Sequence, residues 1–239
     1  MYNVILLCTS GSETLSQKLV NSVYSSMDGQ NLSWLCDDEA VCFHVEKKST
    51  AHYEIWSQLQ HIKIDMVFQK KENHFKSLLL ADMDSTMIEQ ECIDELADMC
   101  GVGSEVKKIT TRAMNGELGF HDALNERVSL LAQCPSSIVE QVLEKRITFR
   151  PGGKTLVSTM KANGAYTALV SGGFTAFSIP IGVNLGFDEQ NANILVEENG
   201  VFTGKVAEPI LGKNEKVNQL NRLVKERGLM HSDVLAVGD

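Results

Sequence analysis

The 239-residue sequence contains no long hydrophobic segment, and no part of it approaches the ~20 apolar residues of a membrane-spanning helix. It also contains no run of Lys and Arg, and its formal net charge is −9. Nucleic acid and anionic membrane surfaces would repel a chain of this charge. We therefore expect no nucleic-acid partner and no membrane association.

Cysteine-based motifs are absent as well. The six cysteines form no C-x-x-C, and neither they nor the six histidines follow the spacing of a metal site. Cys92 and Cys100 fall within a helical pattern, which suits buried free thiols in a reducing compartment. The apolar start Val4–Cys8 is too short for a signal peptide and lacks its basic flank. These features predict a cytoplasmic protein.

The composition is that of an ordinary globular protein, with 43% hydrophobic and 22% charged residues. The length suits one sizeable core with a small accessory domain. Residues 1–70 alternate in the order βαββαβ, a ferredoxin-like arrangement, and residues 71–76 are predicted to be a linker. This part resembles the small ACT-type ligand-binding domains of amino-acid enzymes. A docking or dimerising domain without a ligand, and hence a homodimer, explains the pattern equally well.

An apolar run that ends on two aspartates is the most informative part of the chain. Leu78–Ala81 is followed by Asp82 and Asp84. A buried parallel strand is nearly all apolar, and open α/β sheets gather their chemistry beyond the carboxyl ends of such strands. One carboxylate there can attack phosphorus, while the other carries the proton and a divalent cation offsets the charge. Alternatively, both aspartates only cap the helix that follows, a position that Asp favours.

Two further strand ends repeat this pattern. Ala165–Val170 ends in Ser171–Gly173, and Asp233–Val237 ends in Gly-Asp at Asp239. Between them, Lys213 lies just ahead of a predicted helix. Four motifs of these kinds in this order resemble the motifs of the haloacid dehalogenase (HAD) superfamily of phosphotransferases.

The resemblance implies an α/β fold: a HAD-type Rossmann-like parallel sheet with an inserted helical cap, preceded by the small ferredoxin-like domain. The core would comprise residues 77–86 and 148–239. The cap would comprise residues 87–147, where Gly and Pro breaks predict roughly four helices. Residues 194–206 are predicted to form a hairpin with a type I′ turn. The family's fourth motif continues past Gly-Asp, so the resemblance also implies a C-terminally incomplete core and leaves the activity of this chain open.

The predicted cap presents two charged residues of interest. At 100° per residue, Arg127 shares an apolar stripe with Phe120 and Leu131. Its head either reaches water or points into the cap's cavity, where it would grip a carboxylate. Glu91 is either a solvated surface residue or the partner of a substrate ammonium. A cap that presents both residues would select a zwitterion bearing a phosphate.

These residues sharpen the resemblance to the phosphoserine phosphatase family. It implies Mg²⁺-dependent hydrolysis of O-phosphoserine to serine and phosphate, in serine biosynthesis, through an aspartyl-phosphate. The implied catalytic residues are Asp82 as nucleophile and Asp84 as acid and base. The implied substrate-binding residues are Glu91, Met114, Phe120, Arg127, Ser171, Gly172 and Lys213, and the implied metal ligands are Asp82, the Asp84 carbonyl and Asp239.

Two other functions fit the same residues. A phosphotransferase would pass the phosphoryl group to an acceptor alcohol such as homoserine instead of water. A truncated, non-catalytic amino-acid-binding protein would account for the ACT-like domain and the shortened fourth motif.

Overall fold

A computed structural model describes the backbone of residues 1–239 and every side chain except those of Asn73 and Lys213. The chain divides into two units, Met1–Phe75 and Lys76–Asp239. None of the described helices is long and apolar enough to cross a bilayer.

The N-terminal unit is a four-stranded antiparallel sheet with two helices. Its strands pair in the order β2-β3-β1-β4. Alternate strand residues, such as Val4, Leu6 and Phe43, are fully buried because a strand turns every second side chain to the same face. The predicted βαββαβ order is thereby confirmed. The elements are β1 (Tyr2–Cys8), α1 (Gln17–Ser26), β2 (Gln30–Cys36), β3 (Ala40–Val45), α2 (Ala51–His61) and β4 (Ile64–Lys70).

The second unit is an α/β fold around a parallel sheet of strand order β10-β5-β6-β7. This confirms the predicted fold class. The elements are β5 (Leu78–Ala81), α3 (Cys92–Met99), α4 (Gly103–Met114), α5 (Phe120–Ser129), α6 (Ile138–Lys145), α7 (Gly153–Ala162), β6 (Tyr166–Phe174), α8 (Thr175–Leu185), β7 (Glu189–Asn193), β8 (Leu195–Glu198), β9 (Val201–Val206), α9 (Lys213–Glu226) and β10 (Val234–Val237).

The register of the parallel sheet brings three sequence motifs to one edge. Ala81 of β5 pairs with Leu169 of β6 on one side and with Val237 of β10 on the other. Residues that follow these three positions therefore emerge side by side at the carboxyl ends of the strands. This is the edge at which open α/β sheets bind their ligands.

Four helices, α3 to α6, lie between β5 and α7. Their apolar faces share one hydrophobic cluster with β5, in which Leu79, Leu96 and Val128 are fully buried. Burial of these faces attaches the helices to the sheet over its carboxyl edge. The predicted hairpin is also present as β8 and β9, and positive φ angles at Asn199 (52°) and Gly200 (79°) suit the predicted type I′ turn.

The cysteine prediction is right for Cys92 and wrong for Cys100. Cys92 is a buried free thiol, whereas Cys100 forms a disulfide with Cys134. The two Cα atoms lie 6.0 Å apart although 34 residues separate them in sequence. Helix packing brings the end of α3 to the segment after α5, and no local sequence pattern encodes that approach.

Candidate active site

A cavity of about 210 Å³ lies at the carboxyl ends of the parallel strands, beneath the helices that follow β5. Most of the residues singled out by the sequence line it. The lining comes from five separate stretches of the chain, which the strand register and the packing of the helices bring together. The lining residues are Asp82, Asp84, Glu91, Ile93, Phe120, Leu124, Arg127, Ser171, Gly172, Gly173, Phe174, Lys216 and Asp239.

Both carboxylate oxygens of Asp82 have a partner. Its Oδ1 accepts a hydrogen bond from the Met83 amide at 2.8 Å, and its Oδ2 forms an ion pair with the Lys216 ammonium. Its own amide donates to the Val237 carbonyl at 2.9 Å, which continues the pairing of β5 with β10. The carboxylate thus has a set orientation and a cation beside it, as a nucleophile toward an anionic centre requires.

Asp84 lies deeper in the site. Its Oδ1 accepts a hydrogen bond from the Cys92 amide at 3.0 Å, and its Oδ2 accepts one from the Ser171 hydroxyl at 3.4 Å. Burial raises the pKa of the Asp84 carboxyl, and the nearby Asp82 charge acts in the same direction. A raised pKa suits a group that must carry a proton.

The alternative that both aspartates merely cap the next helix does not describe the structure. The next helix, α3, begins only at Cys92, ten residues after Asp82. Asp84 does bind the amide of Cys92, so it caps α3 from a distance. The same carboxylate also lines the cavity, so its contact with α3 does not exclude a role in the site.

The Ser-Gly-Gly motif approaches Asp84 closely. The Ser171 side chain is fully buried, and its hydroxyl oxygen accepts a hydrogen bond from the Gly173 amide at 2.9 Å. A Cβ atom on Gly173 would lie 2.6 Å from Asp84 Oδ2, which is shorter than a carbon–oxygen contact allows. Glycine at this position is therefore required for the carboxylate to sit against the strand.

Glu91 and Arg127 lie on the helical side of the cavity. Glu91 is the residue before α3 rather than a member of it, and its Oε1 accepts a hydrogen bond from the Ser85 hydroxyl at 2.6 Å. Burial raises the pKa of Glu91, and the carboxylates of Asp84, Asp94 and Asp239 add to this effect. Arg127 lines the cavity instead of extending into solvent, with its Nε donating to the Ala123 carbonyl at 3.2 Å.

The desolvation of Arg127 is consistent with a binding role. Burial lowers the pKa of its guanidinium from the ordinary value, and the charges of Asp94 and Glu91 oppose that effect. A partly desolvated cation attracts an anion more strongly than one in water does. Phe120, one helical turn before Leu124, closes the cavity beside Gly172.

One residue that sequence reasoning missed is Asn193, at the end of β7. It is 2% exposed and makes three hydrogen bonds that join the end of β6 to the loop before α9. Its Nδ2 donates to the carbonyls of Gly172 (2.8 Å) and Leu211 (3.2 Å), and its Oδ1 accepts from the Leu211 amide (2.6 Å). The sequence analysis assigned neither an element nor a role to this position.

Replacing Asn193 by Ala is expected to lower the free energy of unfolding by about 2–5 kcal/mol, because it leaves buried backbone groups without partners. Urea unfolding of the full chain measures this change. The matched control is Asn191→Ala on the same strand, whose Nδ2 bonds only Glu189 among the described residues. Equal and small losses in the two variants would show that Asn193 does not hold the loop before α9 against β6.

The sequence matches the family of haloacid dehalogenase-like hydrolases over residues 79–239. The match covers the parallel sheet, its four helices and the whole cavity. This chain belongs to the haloacid dehalogenase-like hydrolase family.

Within this family the chain is similar to phosphoserine phosphatases. It is 41% identical to the phosphoserine phosphatase of Archaeoglobus fulgidus over 76% of this chain and 53% of that protein. It is 44% identical to that of Streptococcus thermophilus over 69% of this chain and 76% of that protein. A solved phosphoserine phosphatase, described as a phospho-aspartyl intermediate analogue, superposes with a TM-score of 0.61 at 40% identity, covering 68% and 77% of the two chains. The chain thus spans about half the length of the first relative.

Two predicted residues are not placed in the cavity of this HAD-family chain. Met114, the last residue of α4, is 84% exposed and does not line the cavity. The family resemblance implied a pocket position for Met114, but the rotation of α4 turns the side chain to solvent. The side chain of Lys213 lies outside the described residues. Among the described side chains, the lysine that meets Asp82 is Lys216, one helical turn further along α9, which sequence reasoning missed.

HAD phosphatases generally use a divalent metal. The described residues hold no group of three or more His, Cys, Asp or Glu side chains that could bind one. The ligand set implied by the family is different, because it combines the Asp82 and Asp239 carboxylates with the Asp84 backbone carbonyl. Both carboxylates line the cavity, and all three donors are oxygens, which hard divalent cations prefer. The donor chemistry therefore fits a metal of this kind.

Proposed function

We propose that this chain hydrolyses O-phosphoserine to serine and phosphate, with Mg²⁺ as the divalent cation. One observation carries the proposal: a single cavity combines an aspartate pair, a lysine, and an Arg–Glu pair on its helical side. Relatives about 40% identical that are named phosphoserine phosphatases support the same substrate.

The three charged groups of phosphoserine have complementary groups in the cavity. The Arg127 guanidinium would bind the carboxylate, for which its planar fork is suited, and Glu91 would bind the ammonium. The Ser171 hydroxyl, the Gly172 amide and the Lys216 ammonium would bind the phosphoryl oxygens. Mg²⁺, when bound, would offset the negative charge that the phosphate and the carboxylates bring together.

In the first step, an oxygen of Asp82 attacks phosphorus in line with the bond to the serine oxygen. A bond forms between Asp82 and phosphorus as the bond to serine breaks, and Asp84 gives its proton to the departing oxygen. The raised pKa of Asp84 supports this role, because the group then carries its proton at a higher pH than an exposed Asp would.

In the second step, Asp84 takes a proton from water, and the water oxygen attacks phosphorus. The bond between Asp82 and phosphorus breaks, which releases phosphate and restores both carboxyl groups. The related structure described as a phospho-aspartyl intermediate analogue supports this route for the family.

Replacing Arg127 by Ala is expected to lower kcat/KM for L-phosphoserine by about 10²-fold and to leave p-nitrophenyl phosphate hydrolysis within about threefold, because only the amino acid carries a carboxylate. Phosphate release with Mg²⁺ measures both activities, and EDTA should remove them. The control is Arg112→Ala, since Arg112 lies on α4 and pairs with Glu126 instead of lining the cavity.

Equal losses on both substrates would exclude a specificity role for Arg127. If the full chain released no phosphate from L-phosphoserine but hydrolysed the aryl ester, another phosphate ester would be the substrate. If homoserine consumed the phosphoryl group without release of phosphate, the chain would be a transferase and the hydrolase proposal would fail.

A further inference from the structure

A second cavity, of about 280 Å³, lies in the N-terminal unit between α2 and β4. Its walls include an unusual number of rings for a chain in which Phe, Trp and Tyr make up only 6% of the residues. Lys48 and Ser49 come from the loop before α2, and His52, Tyr53 and Trp56 come from α2 itself. Phe68 comes from β4. We call this cavity the α2 cleft.

The rings of the α2 cleft form two stacked pairs. His52 stacks on Phe68 with ring centroids 5.3 Å apart and an angle of 11° between planes. Tyr53 stacks on Trp56 with centroids 5.3 Å apart and an angle of 28°. Tyr53 remains 70% exposed and Trp56 37% exposed, so apolar ring surface is available to a ligand. Walls of this kind favour a planar aromatic group, which gains by stacking on them.

His52 supplies a hydrogen-bond donor inside the cleft. Its side chain is 7% exposed, and its Nδ1 accepts a hydrogen bond from the Ser49 amide at 3.3 Å. Burial lowers the pKa of His52, and Lys48 acts in the same direction, so the ring is neutral near pH 7. A neutral ring that accepts at Nδ1 carries its proton at Nε2. In the part of the chain that the structure describes, that nitrogen has no partner.

Among its described lining residues, the cleft has a cationic side chain, Lys48, and no anionic side chain. The Lys48 ammonium lies 5.2 Å from the centroid of the Phe68 ring, which lines the same cleft. None of the described residues that line the cleft carries a carboxylate. An anion therefore finds donors here, whereas an ammonium group finds no counter-charge.

We propose that the α2 cleft binds a small aromatic carboxylate. The aromatic ring packs against Tyr53, Trp56 and Phe68, and the carboxylate accepts hydrogen bonds from the Lys48 ammonium and from His52 Nε2. A zwitterionic amino acid binds less well, because its ammonium is left unpaired. This site is separate from the phosphatase cavity and does not depend on the function proposed for it.

The probe is indole-3-acetate, added to the ¹⁵N-labelled full chain with NMR detection. The sequence holds two tryptophans, Trp34 and Trp56, and Trp34→Phe assigns their two indole N–H signals. We expect a saturable shift of the Trp56 signal only. Indole, which lacks the carboxylate, and L-tryptophan, which adds an ammonium, should each bind at least about tenfold more weakly.

Two neighbouring lysines provide a matched pair of variants. Lys48→Gln should weaken indole-3-acetate at least about tenfold, and Lys47→Gln, which alters a lysine outside the cleft, should not. His52→Phe, which keeps the stacking but removes the donor, should also weaken binding. The proposal is overturned if indole binds as tightly as indole-3-acetate, if Lys48→Gln has no effect, or if the Trp56 signal does not move. A Trp56 signal that shifts with protein concentration alone would instead assign the cleft to self-association.

Discussion

Asp82→Asn is expected to reduce kcat for phosphoserine by at least about 10⁴-fold, because the amide cannot attack phosphorus. The substitution preserves the size of the side chain and the acceptor for the Met83 amide. Circular dichroism and thermal unfolding should therefore be close to those of the parent chain. Phosphate release from L-phosphoserine in the presence of Mg²⁺ measures the loss.

Asp84→Asn distinguishes the nucleophile from the proton carrier. Both variants should lose turnover, but only Asp82→Asn should lose the ability to form a beryllium fluoride adduct that mimics the phosphoenzyme. Asp84→Asn retains the Asp82 carboxylate, on which the adduct forms. If Asp82→Asn kept measurable turnover, or if only Asp84→Asn lost the adduct, the assignment of the two roles would be reversed or wrong.

Lys216→Met is expected to reduce kcat/KM by about 10²–10³-fold, which is typical when a preorganised charge next to the reacting centre is removed. Lys216 pairs with Asp82 in the free chain, and the same ammonium would face the phosphoryl group during reaction. Its loss removes an attraction for the phosphate and leaves the nucleophile without its cation. Steady-state kinetics on L-phosphoserine measures the effect.

Lys213→Met is the informative comparison, because the sequence resemblance assigned phosphate binding to Lys213. We expect the larger loss from Lys216→Met. A larger loss from Lys213→Met would return the role to Lys213 and would make the ion pair of Lys216 with Asp82 a structural feature only. Lys216→Arg, which keeps the charge, should recover part of the activity if charge is what matters.

The sequence was sufficient for the elements of the N-terminal unit and for the strand ends that carry the chemistry, but α8 and β7 were not predicted. Strands such as Leu78–Ala81 are apolar because both of their faces are covered, and this signal is local. Because the carboxyl ends of parallel strands meet at one edge of a sheet, the positions of Asp82 and Ser171 at that edge could be predicted from the sequence. The register that aligns Ala81 with Leu169 and Val237 is given by the structure.

Other features depend on which element packs against which. Lys213 and Lys216 are three residues apart in sequence, and helical periodicity alone does not separate residues at this spacing. Phe120 and Met114 are both apolar residues of the helical segment, yet only Phe120 lines the cavity. The pairing of Cys100 with Cys134 likewise has no local signature.

The sequence by itself thus determined the βαββαβ order of the N-terminal unit, because hydrophobic periodicity reports which face of an element is buried. It also located the aspartate pair at the end of β5 through the apolar run before it, and the order of the motifs indicated the fold class by resemblance. Only the tertiary structure decided that Lys216 meets Asp82, that Met114 faces solvent and that Asn193 joins β6 to the loop before α9. Periodicity does not report which residues a buried face or a long side chain contacts. That is set by helix rotation and packing across residues distant in the chain.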